Sequence, residues 1–444
     1  MSTVLSPLAL SALRYEDSDL LVVDKPVDVP VGSNHQGDLL PRIRQVIAER
    51  DSIPSAQVYL ALHEHLDRDV SGLIALSHSS KANVPLAESV QGNLIRKTFL
   101  VGATVPANFA SKGRLDAWLV RDRDGVVRRC PAKAAKAIHV ALEYRVLRQE
   151  KNRVLLEACP EHGNSRHVRA ILSAQSGIQV AGDTVLGGPA ASRLMVHAHR
   201  IEMPHPVTRE KLVIESEVPA ALDAWLRDSQ GVSDVDSTSR LLKEAAARRW
   251  SLQTKTPPVP YRLVHGEGEG LVGVDVEVFG SYAVVWLGEQ LEPSIRELIL
   301  DAVSQLGFEG VYLKIRPKQA SRIVDSRRDD IAPSHAVRGN NAAEELIVEE
   351  GGLRFSCRLG DGLQSGLFLD QRDNRERLRG CVQGRRLLNL FAYTCSFTVA
   401  GAVGGAESSV SVDVSARALD VAARNLELNQ ISADKHVLVC DDVF

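Results

Sequence analysis

From Leu387 onward, strand-like and helix-like segments alternate at a spacing that strongly constrains the fold. An apolar run, LLNLF, leads through a turn of small residues into a helix pattern over residues 396–403. A second strand pattern at 410–413 leads into a helix for which Ser415 is the predicted N-cap, and a third strand follows at 436–440. This alternation predicts a parallel, doubly wound α/β sheet. Three strands leave the next central strand unaccounted for, so we expect the chain to end inside the fold that it encodes.

The first half of the chain has a different pattern, with many short β-rich runs and few helices. Strand-like runs lie at residues 20–24, 98–103, 141–147 and 154–158, and a helix pattern runs from Ser165 to about Gln175. Strands that follow one another with turns between them favour antiparallel pairing. We therefore expect a mixed α+β domain on a largely antiparallel sheet.

The two patterns imply separate domains, as does the length of 444 residues at about 150 residues per domain. We expect an α+β domain over 1–228 and a polar, proline-containing linker over 229–258. A small α+β subdomain is predicted over 259–358, with a hairpin turning at Gly351-Gly352. The partial doubly wound sheet then occupies 359–444.

Composition limits the functions that are open to the chain. A net charge of -3 and a pI near 6.5 give no overall basic footprint, so any nucleic acid must bind through local patches or a shaped pocket. No apolar run approaches the roughly 20 residues that span a bilayer, and the first residues do not resemble a secretory signal. Six scattered cysteines indicate neither a disulfide framework nor a zinc site, which predicts a cytoplasmic protein.

The polar cluster in LHEHLDRDVSGLIAL (residues 62–76) places Asp67 on a turn that leads into a strand. A carboxylate held at such a turn can act as a nucleophile or a base without a metal or cofactor. Arg169, on the predicted helix, would lower its pKa if the two side chains faced each other. Tyr144 could stack on a base or move a proton.

Two other interpretations of these residues are open. His63-Glu64-x-x-Asp67 superficially resembles a metalloprotease helix, which would require this segment to be helical and to hold zinc. Arg169 with an acidic partner could also be a structural ion pair only.

Seven segments in order, from Tyr15 to Pro206, resemble the RluA-like family of RNA pseudouridine synthases. They are YEDSDLLVVDKP, EHLDRDVSG, RKTFL, ALEYRVL, GNSRHVR, AGDTVLGG and RLMVHA. The resemblance implies that Asp67 is the catalytic aspartate, with Tyr144 and Arg169 beside it. His65 stands where the family usually has an arginine, and Glu64 and Val70 replace a histidine and a threonine.

The resemblance implies that this domain isomerises uridine to pseudouridine in RNA and that it needs no cofactor. The expected substrate is rRNA, with tRNA as the second candidate. His65, Arg68 and Lys97 would position the RNA. The target uridine would leave its stack, at a cost of a few kcal/mol, to expose its glycosidic bond. A non-catalytic domain that only delivers RNA is the alternative. The presence of His65 and Glu64 in place of the usual family residues favours it.

The C-terminal sheet predicts a second site, for a nucleoside. The small-residue turn after LLNLF lets backbone groups approach a ligand at the carboxyl edge of the strands. Asp413, ending the second predicted strand, could accept hydrogen bonds from ribose hydroxyls, and Asp442, after the third, could contact an adenine amine. These features alone leave both NAD and S-adenosylmethionine open.

From about Tyr261 the chain resembles the RlmI-like class I rRNA methyltransferases, in YRLVHGEGEGLVG, SGLFLDQRDNR and LNLFAYTCSF. The resemblance implies S-adenosylmethionine as cofactor and its contact residues in these motifs, Gln371, Arg372, Asn389, Phe391 and Tyr393. Cys395 stands where the family usually has a glycine. The glycines of GEGEGLVG favour a β-turn over a dinucleotide fingerprint, because no strand-turn-helix surrounds them. The family's catalytic cysteine would lie beyond Phe444, so we expect no methyl transfer from this chain.

Overall fold

The computed structural model describes residues 11–32, 37–162, 164–227, 232, 234–249, 252, 259–317 and 327–444. Contacts divide the chain into two compact units. The first unit comprises Leu5–Ser251 and Gly266–Val272, and the second comprises Leu252–His265 and Gly273–Phe444.

The first unit is built on one mixed sheet. Its strands are β1 Leu13–Glu16, β2 Leu20–Lys25, β3 Ala61–Leu62, β4 Ser71–Ser77, β5 Arg96–Thr104, β6 Lys112–Arg121, β7 Val127–Arg129, β8 Ile138–Glu150, β9 Arg153–Pro160, β10 Gln179–Val180, β11 Val196–Pro204 and β12 Lys211–Glu215. The main order is β1-β2-β4-β11-β5-β9-β8-β6-β7, and β3, β10 and β12 pair with β4, β5 and β11. All pairs are antiparallel except β4 with β11, which confirms the expected α+β class.

Helices cover this sheet on both faces. They are α1 Leu39–Asp51, α2 Asn83–Gln91, α3 Ser165–Ser173, α4 Ala220–Leu226 and α5 Val235–Arg248, with 3-10 turns at Ser55–Gln57, Ser80–Ala82 and Thr184–Leu186. All seven residues of β4 are buried, because this strand is covered on both faces. The sheet has a core on each face. The larger core contains Ile74 and Leu76 of β4 packed with α1 and α3, and the smaller core contains Leu73 and Ala75 packed with α2.

Helix α5 lies within the segment expected to be a linker, yet it packs as part of the first unit. Glu244 accepts a hydrogen bond from the Ala220 amide at the start of α4. Arg248 forms an ion pair with Asp28 at 2.6 Å. The boundary expected at residue 228 therefore lies after α5, because the apolar side of this helix needs a core to cover it. The other expected linker residues are largely outside the described residues.

The second unit begins with a sheet of five strands in the order β13-β14-β15-β16-β17. Its strands are β13 Tyr261–His265, β14 Val274–Phe279, β15 Tyr282–Gly288, β16 Gly310–Arg316 and β17 Arg338–Gly339. The 3-10 turn Gly266–Glu269 follows β13, as expected for a glycine-rich turn, and α6 Pro293–Ser304 connects β15 to its parallel partner β16. A two-stranded hairpin follows, formed by β18 Leu346–Glu350 and β19 Leu353–Cys357.

The last elements form the predicted parallel sheet. They are the 3-10 turn Leu369–Gln371, α7 Arg372–Cys381, β20 Arg386–Leu390, α8 Ser396–Val403, β21 Ser408–Asp413, α9 Ala416–Leu428 and β22 His436–Cys440. Strands β20, β21 and β22 pair in parallel in that order. Ser415 caps α9 by accepting a hydrogen bond from the Ala418 amide, as predicted. Among the described residues β20 pairs only with β21, and its Leu388 and Leu390 are exposed.

The expected boundary between residues 358 and 359 does not separate two cores. Phe355 of the hairpin packs in one cluster with Val284 of the five-stranded sheet and with Val399 and Leu426 of α8 and α9. The hairpin turns at Gly351 and Gly352, both at positive φ, which is the two-residue turn that the sequence indicated. The second unit is therefore held by one shared core.

None of the helices among the described residues combines the length and the apolar character that a membrane span needs.

A buried ion pair fixes the hairpin to α7 and gives a stability prediction. Arg375 donates to both oxygens of Glu350 at 2.8 and 2.9 Å, and both side chains are almost fully buried. We expect Glu350→Ala to lower the free energy of unfolding by about 3–5 kcal/mol, because it leaves a buried, unpaired guanidinium. Hydrogen exchange of the hairpin amides measures this change. The exposed pair Arg424–Glu427 is the control, for which Glu427→Ala should cost about 0.5 kcal/mol or less. An equal loss of stability in both variants would contradict the prediction.

Candidate active site and cofactor turn

Asp67 lies on the turn just before β4, as the sequence predicted, and its carboxylate is largely buried. Arg166 donates from Nε at 2.7 Å and from a second guanidinium nitrogen to the same carboxylate oxygen. Ser165 donates from its hydroxyl to the other oxygen at 2.9 Å. Burial alone would raise the pKa of Asp67, but the bonds from Arg166 and Ser165 and the nearby arginine charges outweigh it, so the pKa lies below its usual value. The carboxylate is therefore ionised at neutral pH.

The arginine that contacts Asp67 is Arg166, not Arg169 as expected. Asn164 caps α3, which places Ser165 and Arg166 in the first turn of the helix, facing Asp67. Arg169 lies one turn further along, and it donates to both oxygens of Asp183 at 2.7 and 2.8 Å. Its charge still helps to lower the pKa of Asp67. Sequence spacing did not separate the two arginines, because residues three apart share one face of a helix.

Lys25, at the end of β2, hydrogen-bonds to the backbone of the turn that carries Asp67. The Lys25 ammonium is fully buried and donates to the carbonyls of Val29 and Arg68 at 3.0 and 3.2 Å. Burial lowers the pKa of Lys25 to about 7, helped by the nearby Arg193 charge and opposed by nearby aspartates. Arg68, expected to position RNA, donates from Nε to the carbonyl of Asp28 at 3.3 Å. Its exposed guanidinium therefore also ties the two loops together.

A cleft of about 460 Å³ opens next to this turn. The parallel pairing of β4 with β11 covers only Ser71 and Gly72, and beyond it the two strands separate. The lining residues come from the residue 62–66 segment, α2, β5 and the start of α3: Leu62, His63, Glu64, His65, Leu66, Val90, Asn93, Ile95, Arg96, Lys97, Phe99, Pro160, Glu161, His162, Asn164 and Ser165. His65 is exposed at this cleft.

Lys97, expected to position RNA, lines the cleft, but its ammonium is already paired. Its ammonium forms an ion pair with Glu64 at 2.8 Å and donates to the carbonyl of Leu73 at 2.9 Å. The other oxygen of Glu64 accepts from the Ala75 amide at 2.9 Å. The pair thus satisfies the backbone of β4 where no strand covers it, and both side chains are almost buried.

Tyr144 and Phe99 belong to one row of residues across the sheet. Phe99 in β5 pairs with Ala158 in β9, which pairs with Tyr144 in β8, so the two aromatic residues lie about 10 Å apart along the sheet. Phe99 lines the cleft, whereas Tyr144 stacks on Phe109 with ring centroids 5.0 Å apart. Burial raises the pKa of Tyr144, so its phenol stays protonated. Phe99 was not among the predicted site residues, and the RKTFL motif is its only signal in the sequence.

The zinc-helix interpretation of His63 to Asp67 does not fit the structure. The segment is extended and then turns, so His63 and Asp67 do not share a helix face. His63 bonds instead to the Ser77 hydroxyl at 3.0 Å. In the part of the chain that the structure describes, no three histidine, cysteine or acidic side chains form a group that could hold a metal ion.

The turn after β20 in the second unit has an unusual backbone. Phe391, Tyr393 and Cys395 all have positive φ, at 56°, 49° and 59°. Non-glycine residues rarely adopt this conformation, which costs about 1–3 kcal/mol and concentrates at ligand sites. Asp413 holds the turn by accepting from the Tyr393 amide at 2.7 Å, and its other oxygen accepts from the Ser415 amide at 2.9 Å. A carboxylate has about four acceptor positions, so Asp413 can still accept from ribose hydroxyls.

Cys395 does not obstruct this turn. Its side chain is fully buried and packs with Ala392 of the same turn and with Leu419 and Ala422 of α9. Burial raises the pKa of its thiol, so Cys395 is not a nucleophile at neutral pH. The residues therefore fit a nucleoside cofactor, although the turn has a cysteine where a glycine was expected.

The remaining expected cofactor residues lie around this turn in different roles. Asn389 donates to the Thr398 hydroxyl at 2.9 Å, which joins β20 to α8. Phe391 and Asp442 are exposed at the carboxyl edge of the sheet.

Gln371 and Arg372 take part in local packing, with Gln371 bonded to Asn374 and Arg372 bonded to Glu350. The SGLFLDQRDNR motif reaches the turn through Gly366, whose carbonyl accepts from Thr394, and through Phe368, whose ring lies 5.3 Å from that of Tyr393.

Comparisons with known proteins agree with both classes of domain. Residues 19–174 match the family model for RNA pseudouridylate synthase, and residues 319–444 match that for S-adenosylmethionine-dependent methyltransferase. The ribosomal RNA large subunit methyltransferase I of Cronobacter sakazakii is 33% identical over 225 residues, 50% of this chain and 54% of the relative. The chain thus spans about half the length of the curated relatives it matches.

Two solved structures overlap with parts of the chain. A Streptococcus mutans protein described as a putative SAM-dependent methyltransferase is 26% identical, with a TM-score of 0.43 over 55% of this chain and 59% of its own. Human RNA pseudouridylate synthase domain containing 4 is 20% identical, with a TM-score of 0.41 over 51% of this chain and 96% of its own.

Two parts of the chain therefore match two different classes of domain. The first unit contains a pseudouridine synthase-like region, and the second contains a region homologous to S-adenosylmethionine-dependent rRNA methyltransferases. Both resemblances noted in the sequence are confirmed.

The bond from Arg166 to Asp67 predicts a pH effect. Arg166→Ala removes the strongest of the interactions that oppose the effect of burial, so the pKa of Asp67 rises and the carboxylate becomes protonated at a higher pH. We expect the acid limb of the kcat profile to move to higher pH. The rate of uridine isomerisation at saturating RNA, measured over a range of pH, gives the position of this limb. Arg50→Ala is the control, since Arg50 pairs with Glu16 outside the cleft and should leave the limb in place. An unmoved acid limb in Arg166→Ala would contradict the role of this pair.

Proposed function

We propose that the first unit isomerises uridine to pseudouridine in RNA, with Asp67 as the catalytic carboxylate. The observation that carries this proposal is an ionised, largely buried carboxylate that two side chains of α3 hold next to an open cleft. A carboxylate in a cleft whose pKa is shifted by a specific charged partner is a candidate for an active-site residue.

In the proposed reaction the glycosidic bond from nitrogen 1 breaks and a bond from carbon 5 to the same sugar carbon forms. The proton leaves carbon 5 and nitrogen 1 gains one, so no atoms are gained or lost overall. The carboxylate can add to the sugar, add to the base or abstract a sugar proton, and each route requires Asp67 to be ionised. Arg166 and Ser165 meet this requirement and also orient the two oxygens.

The cleft gives the flipped nucleotide a place to bind. Phe99 and Pro160 offer apolar surface to a base, and the exposed His65 can occupy the gap that the base leaves in its stack. We assign Arg169 the role of holding α3 through Asp183, with a long-range effect on Asp67. Tyr144, a protonated phenol, stacks on Phe109 in the same core as Phe99.

A non-catalytic domain that delivers RNA is the second candidate. The observation that favours it is the number of bonds that Asp67 already accepts, because a carboxylate held by Arg166 and Ser165 is a weaker nucleophile than a free one. Under this alternative the cleft would bind RNA and no isomerisation would follow.

For the second unit we propose binding of S-adenosylmethionine at the turn after β20. Asp413 would hold the ribose, and the strained turn would bring backbone amides close to the cofactor. The bound cofactor would supply a methyl group for transfer. Methyl transfer by this chain is not proposed.

We further propose rRNA as the substrate of the first unit and the cytoplasm as the location. Support for rRNA comes from the curated relatives of the second half, whose names specify the large ribosomal subunit RNA. All six cysteines are free thiols, which fits a reducing compartment.

Tritium release from RNA labelled at carbon 5 of uridine tests the synthase proposal. The probes are transcribed ribosomal RNAs and a transfer RNA pool, each incubated with the full chain. We expect release with the wild type and release at background with Asp67→Asn, because the amide is neither a base nor a nucleophile. Asp69→Asn is the matched control in the same turn and should keep activity within about tenfold.

Two outcomes would overturn the synthase proposal in favour of RNA delivery. One is equal tritium release from wild type and Asp67→Asn. The other is tight RNA binding by the wild type without pseudouridine in the recovered RNA.

Calorimetric titration with S-adenosylmethionine tests the cofactor proposal. Asp413→Asn removes the charge and one acceptor, so we expect the affinity to fall about tenfold or more, as for the loss of a charged hydrogen bond. The control is Asp420→Asn, an exposed change on α9 that should leave the affinity unchanged. Equal affinities for the two variants would refute the role of Asp413.

A further inference from the structure

The first unit contains a strongly basic surface that the proposed reaction does not use. Between Lys112 and His139 the sequence has eight lysines and arginines against three aspartates, in a chain whose net charge is -3. This segment comprises β6, β7, the turn between them and the loop that leads into β8. We call its exposed side chains the basic hairpin.

Several cations of the basic hairpin have no partner among the described residues. Arg123, Lys133 and Lys136 are exposed, and no hydrogen bond or ion pair in the described ranges involves their side chains. Of the three aspartates in the segment, Asp122 pairs with Arg128 at 3.0 Å and Asp116 with His139 at 2.7 Å, and Asp124 alone does not offset the remaining lysines and arginines. The surface therefore has positive charge that the described part of the first unit does not neutralise.

An exposed aromatic pair lies within this surface. Trp118 in β6 pairs across the sheet with His139 in β8, and their rings are 5.1 Å apart. Trp118 is 39% exposed, unusual for so large an apolar side chain. Alternating burial explains this, because Ala117 and Leu119 take the core side of β6. Aromatic rings among exposed cations match the stacking and charge that single-stranded nucleic acids require.

The basic hairpin adjoins the cleft. His162 lines the cleft, and its ring bonds to the backbone carbonyl of His139 at 3.1 Å. Glu161, which also lines the cleft, forms an ion pair with Arg114 of β6 at 2.7 Å. An RNA strand that leaves the cleft can therefore reach Trp118 and His139 by passing His162.

Two simpler explanations account for less of this surface. Charges on an edge strand prevent sheet-to-sheet aggregation, and β7 is an edge. However, Lys133 and Lys136 lie beyond β7, in a loop with no free edge to protect. A solvated charge run would also not explain the exposed Trp118.

We propose that the basic hairpin binds the RNA that flanks the target uridine, with Arg123, Lys133 and Lys136 binding phosphates and Trp118 stacking on a base. This inference rests on the proposed function for its substrate class. It resolves how a chain without an overall basic footprint can hold RNA, since local charge is sufficient for phosphate binding.

The test measures RNA affinity separately from catalysis. Fluorescence anisotropy with a labelled oligouridylate of about 20 nucleotides, longer than a typical single-strand site, is recorded for the full chain in an Asp67→Asn background, across several salt concentrations. For Lys133→Glu/Lys136→Glu we expect a dissociation constant at least about tenfold higher. The slope of log affinity against log salt should shrink by about 0.7 for each phosphate that the variant no longer binds. For Trp118→Ala we expect about tenfold weaker binding with an unchanged salt slope.

A matched variant controls for total charge. Lys81→Glu/Lys243→Glu makes the same charge change at two exposed positions outside the basic hairpin and should bind RNA like its parent. With Asp67 intact, the basic-hairpin variants should raise KM for tritium release and leave kcat unchanged. A change in kcat alone would overturn the docking role.

Failure of this inference can be distinguished from failure of the proposed function. If the wild type releases no tritium but the basic-hairpin variants still bind RNA more weakly, the docking surface stands without the synthase. If those variants bind oligouridylate as tightly as their parent, or no more weakly than the control pair, the docking surface is refuted. Weaker binding to an acidic protein alone, with RNA affinity unchanged, also refutes it.

Discussion

The parallel pairing of β4 with β11 ends after Ser71 and Gly72, and the rest of the first site depends on that short pairing. Where the strands part, the sheet has a gap in which Lys97 and Glu64, two residues that line the cleft, bond to the backbone of β4. The Asp67 turn enters β4 at the same point, and its neighbour Leu66 and its partner Ser165 line the cleft. A longer ladder would close the gap, because neighbouring strands lie only about 4.8 Å apart. Gly72, at positive φ, has no side chain to clash with the Ala198 backbone, so the strands can meet there.

Opening a sheet in this way exposes backbone groups and buries charges, and the structure compensates for both. Lys97 and Glu64 satisfy the uncovered part of β4, Lys25 satisfies the carbonyls beneath the Asp67 turn, and Arg166 neutralises Asp67. Each of these buried charges has a partner, as the cost of desolvation requires. The buried Asp183 carboxylate also needs a charged partner, and Arg169 provides it. Arg169 therefore does not serve as the sole partner of Asp67.

The comparison of sequence with structure shows which predictions depended on local order. Strand and helix positions such as β9, α8 and β22 followed from apolar periodicity, and the Ser415 cap and the turn at Gly351 followed from local chemistry. The choice between Arg166 and Arg169 as the partner of Asp67 did not follow from local order, because both arginines lie on one helix face. Arg169 bonds to Asp183 instead, and the position of Asp183 depends on a separate loop. The membership of α5 in the first unit was also missed, since polar flanks made its segment resemble a linker.

The sequence by itself determined the two fold classes, the two family resemblances and the position of Asp67 on a turn before a strand. These depend on residue patterns within short windows. Only the tertiary structure decided that Arg166 and Ser165 hold Asp67, that Lys97 pairs with Glu64, and that the Cys395 side chain is buried against α9. It also decided that Arg114 and His139 contact Glu161 and His162, two residues that line the cleft. Such contacts join residues far apart in the chain, and their geometry follows from how strands and helices pack, which local patterns do not encode.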